Sequence, residues 1–96
     1  MQIQWSANAA AQLEAAYEYV TEDNRDAARQ QSSAVVRAVE HLAQFPEMGR
    51  PGRVTGTREL VIQGTPLLVA YMVRRDRISV LAVLHGARRW PVRFAH

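Results

Sequence analysis

Leu67-Leu68-Val69-Ala70-Tyr71-Met72-Val73-Arg74-Arg75-Asp76-Arg77-Ile78-Ser79-Val80-Leu81-Ala82-Val83-Leu84-His85 is the stretch on which the fold turns. Two apolar runs, Leu67 to Val73 and Ile78 to His85, flank a charged break at Arg75-Asp76, the composition of two strands and a tight connection. Upstream, Thr57 to Ile62 reads as another strand, with Gly64-Thr65-Pro66 as the turn that follows it. Connections this short cannot carry a crossover, so these strands must pair antiparallel.

A sheet of this kind needs something to cover its apolar face, and the first half supplies it. Gln2 to Trp5 alternates polar and apolar residues, as a short strand does, and Ser6 is placed to cap a helix. That helix carries Ala9, Ala10, Leu13, Ala16, Tyr17 and Val20 at amphipathic spacing. Thr21 to Asn24 breaks it. Asn24 can cap a second helix, Asp26 suits the positive end of its dipole, and Ala28, Val35, Ala38, Val39 and Leu42 form its buried stripe. Phe45 continues the stripe, and Pro46, which has no amide to donate, stops the helix. Met48-Gly49-Arg50-Pro51-Gly52 reads as a loop. The predicted fold class is α+β: an N-terminal strand, then an α-helical hairpin packed on one face of a mainly antiparallel sheet, in the order β-α-α-β-β-β.

The chain of 96 residues suits one domain over 1–96. At this size only about 60–65% of the unfolded surface can be buried. With 48% apolar and 22% charged residues, it has the material for an ordered core. There is no cysteine, which excludes a disulfide framework, a thiolate zinc site and a cysteine nucleophile. No signal-peptide pattern opens the chain, and no apolar run approaches the roughly 20 residues that span a bilayer, so the expectation is a cytoplasmic protein without a membrane partner.

The net charge of +3 conceals an asymmetry. Residues 1–46 carry three basic and six acidic groups, whereas 47–96 carry nine basic and three acidic. A basic half points to nucleic acid, a nucleoprotein enzyme or an acidic protein as partner. All twelve basic residues are arginine, which fits codon bias in a GC-rich genome or selection for bidentate anion contacts.

Phosphate loops, paired helical histidines, nucleophile elbows and clustered carboxylates are missing from the pattern, so neither a metal nor another cofactor is expected. His85 stands at a strand end beside Arg88 and Arg89. It can act as general acid or base on RNA, with arginine stabilising the charge on phosphorus, or it can simply close the strand. Glu59 can serve as a base with Arg58 on phosphate; alternation sends the two to opposite faces, and a structural ion pair is the other reading. Arg74, Arg75 and Arg77 crowd a hairpin tip around Asp76, positioned for phosphate, an acidic partner or solvent. Trp90 and Phe94 alternate with Arg88, Arg89 and Arg93, a tail suited to stacking, to anchoring an interface or to folding back on the sheet. Tyr17 and Tyr71 fall on apolar faces, as core or interface residues.

Several segments taken together resemble the RelE/ParE toxin superfamily over nearly the whole chain. They are Trp5-Ser6-Ala7, Ala27-Ala28, Leu42-Ala43-Gln44-Phe45-Pro46-Glu47-Met48-Gly49-Arg50, Gly56-Thr57-Arg58-Glu59-Leu60, Gly64-Thr65-Pro66-Leu67-Leu68-Val69-Ala70-Tyr71 and His85-Gly86-Ala87-Arg88-Arg89-Trp90-Pro91. The resemblance implies a toxin neutralised by a ParD/RelB-like antitoxin from the same operon, in a heterotetramer or larger assembly. It gives the helix pair the role of a groove and the sheet edge the role of a docking strand, with Leu13, Tyr17, Arg74, Arg75 and Arg77 as antitoxin-binding residues.

Two mechanisms divide that family. RelE-like members cut messenger RNA on the ribosome, and ParE-like members poison DNA gyrase. RelE-like nucleases carry an arginine three residues before the strand tyrosine; aligned on Tyr71, that position is Leu68, which cannot hold a phosphate. Arg88 does match their basic position after the last strand. The resemblance therefore favours the gyrase-directed subfamily, with Arg88, Arg89, Trp90 and then Arg58 as target-binding residues. A ribosome-dependent endoribonuclease using His85, Arg88 and Glu59 is the alternative, and an inactive antitoxin-binding or operon-regulating member is a third.

Overall fold

A computed structural model of the chain describes residues 1–86. Among the described residues, five strands form one sheet in the order β1-β5-β4-β3-β2. In chain order the elements are β1 (Gln2–Trp5), α1 (Ala7–Thr21), α2 (Arg25–His41), β2 (Arg50–Pro51), β3 (Arg58–Val61), β4 (Leu67–Arg74) and β5 (Arg77–His85). β3, β4 and β5 pair antiparallel, as their short connections require. β1 joins the far edge parallel to β5, with Gln2 opposite Arg77 and Trp5 opposite Val80. The helical hairpin is the crossover that makes this parallel pairing possible.

Both helices start where a side-chain oxygen can satisfy an orphan amide. Ser6 Oγ accepts from Ala9 N at 3.0 Å, and Asn24 Oδ1 accepts from Ala27 N at 3.0 Å. The buried stripe of α2 is as the periodicity predicts, with Ala28, Val35, Val39 and Leu42 sealed and Ala38 half-buried. α1 is more weakly buried: Ala9 is sealed, Leu13, Ala16 and Tyr17 are half-buried, and Ala10 is exposed.

Two expectations fail at the end of α2. The helix stops at His41, ahead of Pro46, and Phe45 is 58% exposed instead of continuing the buried stripe. Tighter i→i−3 bonds take over, with Leu42 N donating to Val39 O at 3.0 Å, Ala43 N to Glu40 O at 3.1 Å and Gln44 N to His41 O at 3.1 Å, and they rotate Phe45 out of the helical phase. The loop predicted next also contains the two-residue strand β2, paired through Arg50–Glu59 and Pro51–Arg58. A proline is tolerated there because β2 is an edge.

The sheet has an apolar layer on each side. Under the helices lie Leu60, Ile62, Leu67, Val69, Tyr71, Ile78, Val80 and Val83, packed with Val35, Val39 and Leu42. Ala70, Leu81 and Ala82 form a second cluster with Val54, Met72 and Leu84. Alternation explains this division everywhere except at Leu81. There β5 bulges: Ala70 pairs with Ala82 and Tyr71 with Val80, leaving Leu81 as the extra residue. The freed Leu81 carbonyl accepts from Ser6 Oγ at 3.1 Å, so the cap of α1 is also a tie to the sheet. Beyond the end of β1, Gln12 Oε1 accepts from Val83 N at 2.9 Å and covers the β5 edge.

Candidate functional site

The densest polar construction joins β3 to the segment between α2 and β2. Arg58 and Glu59 are consecutive, so they leave β3 on opposite faces. Arg58 pairs with Tyr71 and lies on the helix side, and Glu59 pairs with Ala70 and lies on the other. Arg58 Nη1 donates to Gly49 O at 2.7 Å and to Glu47 O at 3.4 Å. Tyr71, fully buried, donates from its hydroxyl to Pro46 O at 2.8 Å and accepts from Gly49 N at 2.9 Å. Burial pushes the Tyr71 phenol upward from its ordinary pKa, against the Gly49 hydrogen bond and the Arg58 charge, which lower it. No Cβ fits at Gly49: it would lie 2.6 Å from the Tyr71 hydroxyl and 2.9 Å from Glu59 O.

Glu59 is only 3% exposed. Its carboxylate meets Arg50 Nη2 at 3.2 Å and Arg53 Nε at 3.4 Å, and accepts from Arg53 N at 2.8 Å. Burial acts to raise its pKa, but the Arg53 amide, the Arg50 hydrogen bond and both guanidinium charges outweigh it and hold the carboxyl below its ordinary value. A carboxylate so committed is a poor proton acceptor. Its arginine partners lie six and nine residues upstream, across a loop, and no helical or strand spacing announces them.

Of the predicted nuclease residues, the structure places His85 and Glu59 on opposite faces of the sheet. His85 pairs with Leu67 and, with Val83 on the helix side and Leu84 on the other, emerges on the helix side, half-buried. Glu59 is on the opposite face. Leu68, at 5% exposure, is buried beside Leu84 and Val61, its register partners. Arg88, Arg89 and Trp90 lie outside the described residues.

Arg74 and Arg77 are direct partners at the turn end of the β4–β5 ladder, and Arg75 is exposed at its tip. Beside them a hollow of about 280 Å³ opens against Gln4, Ser6, Ser79 and Leu81. On α1, Leu13 is half-buried against the core under the sheet, and Tyr17 is also half-buried. Tyr19, 72% exposed on the same helix, is the larger free aromatic surface and was not singled out by the sequence reading; its position off the apolar stripe is the signal that could have found it. Phe45 and Met48, 58% and 47% exposed, line a shallow apolar hollow of about 630 Å³ with His41, Pro46 and Glu47. Among the described residues, no group of three or more His, Asp or Glu side chains is placed to hold a metal. No described helix is long and apolar enough to cross a membrane.

Residues 3–90 match the model of a family described as ParE toxin of the type II toxin–antitoxin system, parDE. The toxin candidate Y4kP of Sinorhizobium fredii is 37% identical over 89 residues, covering 93% of this chain and 92% of its own. Toxin RelE2 of Caulobacter vibrioides is 31% identical over 87 residues, covering 91% and 97%. Among solved structures, a chain of the chromosomal ParDE TA system from P. aeruginosa superposes with a TM-score of 0.76 at 29% identity, covering 86% of this chain and 92% of that one.

Proposed function

The chain belongs to the ParE toxin family of type II toxin–antitoxin systems, and on that premise we propose that it arrests growth by binding DNA gyrase and is neutralised by a cognate antitoxin. The observation that carries the proposal is the family match across residues 3–90. Two features of the site support a binding toxin over a cleaving one. The Glu59 carboxylate is held by Arg50 and Arg53, and Leu68, at the position where RelE-like nucleases carry an arginine, is buried beside Leu84 and Val61. A gyrase-directed toxin needs no bond-breaking residue, because the target enzyme supplies the chemistry.

In this reading Arg88, Arg89 and Trp90 make the principal target contacts. Arg58 contributes mainly by holding the chain at Glu47 and Gly49. The antitoxin partner follows from likeness to a protein of a ParDE system, and an acidic antitoxin tail would complement the basic second half of the chain. Likeness to Toxin RelE2 favours a second reading, a ribosome-dependent endoribonuclease built on His85 and Arg88.

A supercoiling assay with purified gyrase separates them. Loss of supercoiling and accumulation of cleaved DNA, both reversed by antitoxin, are the expected results. A folded, growth-arresting protein that leaves gyrase untouched and cuts ribosome-bound messenger would overturn the proposal in favour of the second reading.

A further inference from the structure

The pairing of β4 with β5 closes on an unequal bond. Ile62 N donates to Leu67 O at 3.1 Å, so the backbone groups of Leu67 face β3, and those of its neighbours Pro66 and Leu68 face β5. One step beyond the Leu67–His85 pair, Gly86 N donates to Pro66 O at 3.0 Å. Two residues placed in this way ordinarily exchange two bonds. Pro66 accepts one and has no N–H with which to return the other to Gly86 O. The one-sided bond stands two residues before Arg88. Pro66 O is itself held in place by the turn that precedes it. Thr65 Oγ1 donates to Ile62 O at 2.9 Å and accepts from Leu67 N at 3.0 Å, and Thr65 N donates to Ile62 O at 3.2 Å, so one side chain braces the turn across both of its ends.

We propose that Thr65 and Pro66 are positioning residues for the basic-aromatic tail: the braced turn fixes the chain at Gly86, and the missing proline donor stops the pairing there, short of Arg88, Arg89 and Trp90. The inference rests on the proposed function in taking those three residues as the target contacts. A stop at this point has a physical use. Consecutive residues of a strand point to opposite faces, so a ladder continued through Arg88 and Arg89 would send their guanidiniums apart, whereas a single target surface needs both. An N–H at position 66 would close the pair on both sides and hold the Gly86–Ala87 peptide in strand geometry.

The test compares Pro66→Ala, Thr65→Val and Thr65→Ser in the full chain, assayed where every variant is folded. Growth arrest reads the output of the toxin for any target, and supercoiling reads gyrase. Urea unfolding reads the fold, and amide exchange reads the anchor at Gly86. Pro66→Ala, which adds a donor, should slow exchange at Gly86 and leave the urea midpoint unchanged or higher, yet weaken arrest and inhibition at least about tenfold. Thr65→Val should quicken exchange at Gly86 about tenfold and weaken inhibition by a similar factor, and Thr65→Ser, which keeps the hydroxyl, should restore both. A purely structural role predicts instead that activity follows the urea midpoint. The proposal is overturned if Pro66→Ala keeps full activity, if Thr65→Val leaves Gly86 exchange unchanged, or if the losses of activity merely track stability. Arrest that responds to these substitutions without any effect on gyrase removes the gyrase reading alone, and gyrase inhibition indifferent to them removes the positioning role alone.

Discussion

Arg58 and Glu59 are neighbours in β3 that grip one loop from its two sides: Arg58 Nη1 holds Gly49 O at 2.7 Å on the helix side, and Glu59 holds Arg53 N at 2.8 Å on the other. With Tyr71 binding Pro46 O and Gly49 N, the segment from Pro46 to Arg53 is fastened to the sheet at several points although little of it is regular structure. The apolar side chains of Phe45 and Met48 are thereby presented to solvent from a fixed support.

Removing the Tyr71 hydroxyl should release that support. Tyr71→Phe leaves the Gly49 amide and the Pro46 carbonyl without their partner, at a cost of about 1–3 kcal/mol. Urea unfolding measures it, and an unchanged midpoint would show that water replaces the hydroxyl. Gly49→Ala should cost more, because its Cβ meets both the Tyr71 ring and the backbone of Glu59.

Acid should find Glu59. Its folded pKa is depressed, so the unfolded chain takes up the proton first as pH falls. The stability it contributes is present above the unfolded value of about 4.3 and is lost as pH drops through the lower folded value. Glu59→Gln should therefore flatten the acid limb of a Tm-against-pH curve. Its cost near neutral pH should be about 1–2 kcal/mol, limited because both arginines are about half exposed and screened by solvent. Parallel acid limbs for the variant and the parent would sink this account.

Ser6→Ala should cost about 1–2 kcal/mol, since one hydroxyl caps α1 and ties it to the Leu81 carbonyl. Amide hydrogen exchange should report faster opening at Ala9. Loss of protection spread evenly over the molecule would mean that the tie is not local.

Simultaneous alanine replacement of Arg88, Arg89 and Trp90 should weaken gyrase inhibition at least about tenfold, as the loss of interface anchors does, with Tm unchanged. Undiminished inhibition would move the target surface elsewhere, with Tyr19, Phe45 and Met48 the next exposed groups to replace.

Particular residues show why some of this architecture was legible and some was not. β4 and β5 announce themselves because two apolar runs are separated by a short charged break, which leaves only a hairpin. The α2 stripe is readable for the same kind of reason: polar residues mark its phase. The bulge is hidden because Val80-Leu81-Ala82-Val83-Leu84 is apolar throughout, so nothing in the run shows where the alternation slips. β2 is hidden because Arg50-Pro51 has the composition of a loop and becomes a strand only by lying against β3. At the candidate site, the charge of Arg74 and Arg77 was visible. The hollow beside them depends on β1, which arrives from the other end of the chain.

That arrangement of β1 also has a consequence for the order of assembly. Gln2 to Trp5 are made before the helices and the hairpin, yet their register partners among the described residues are Arg77 to Val80. A growing chain can form its helical hairpin early and still have no sheet edge on which to dock its own beginning. Closure of the sheet thus waits until β5 has been made, and the surface built around β1 comes into being only then.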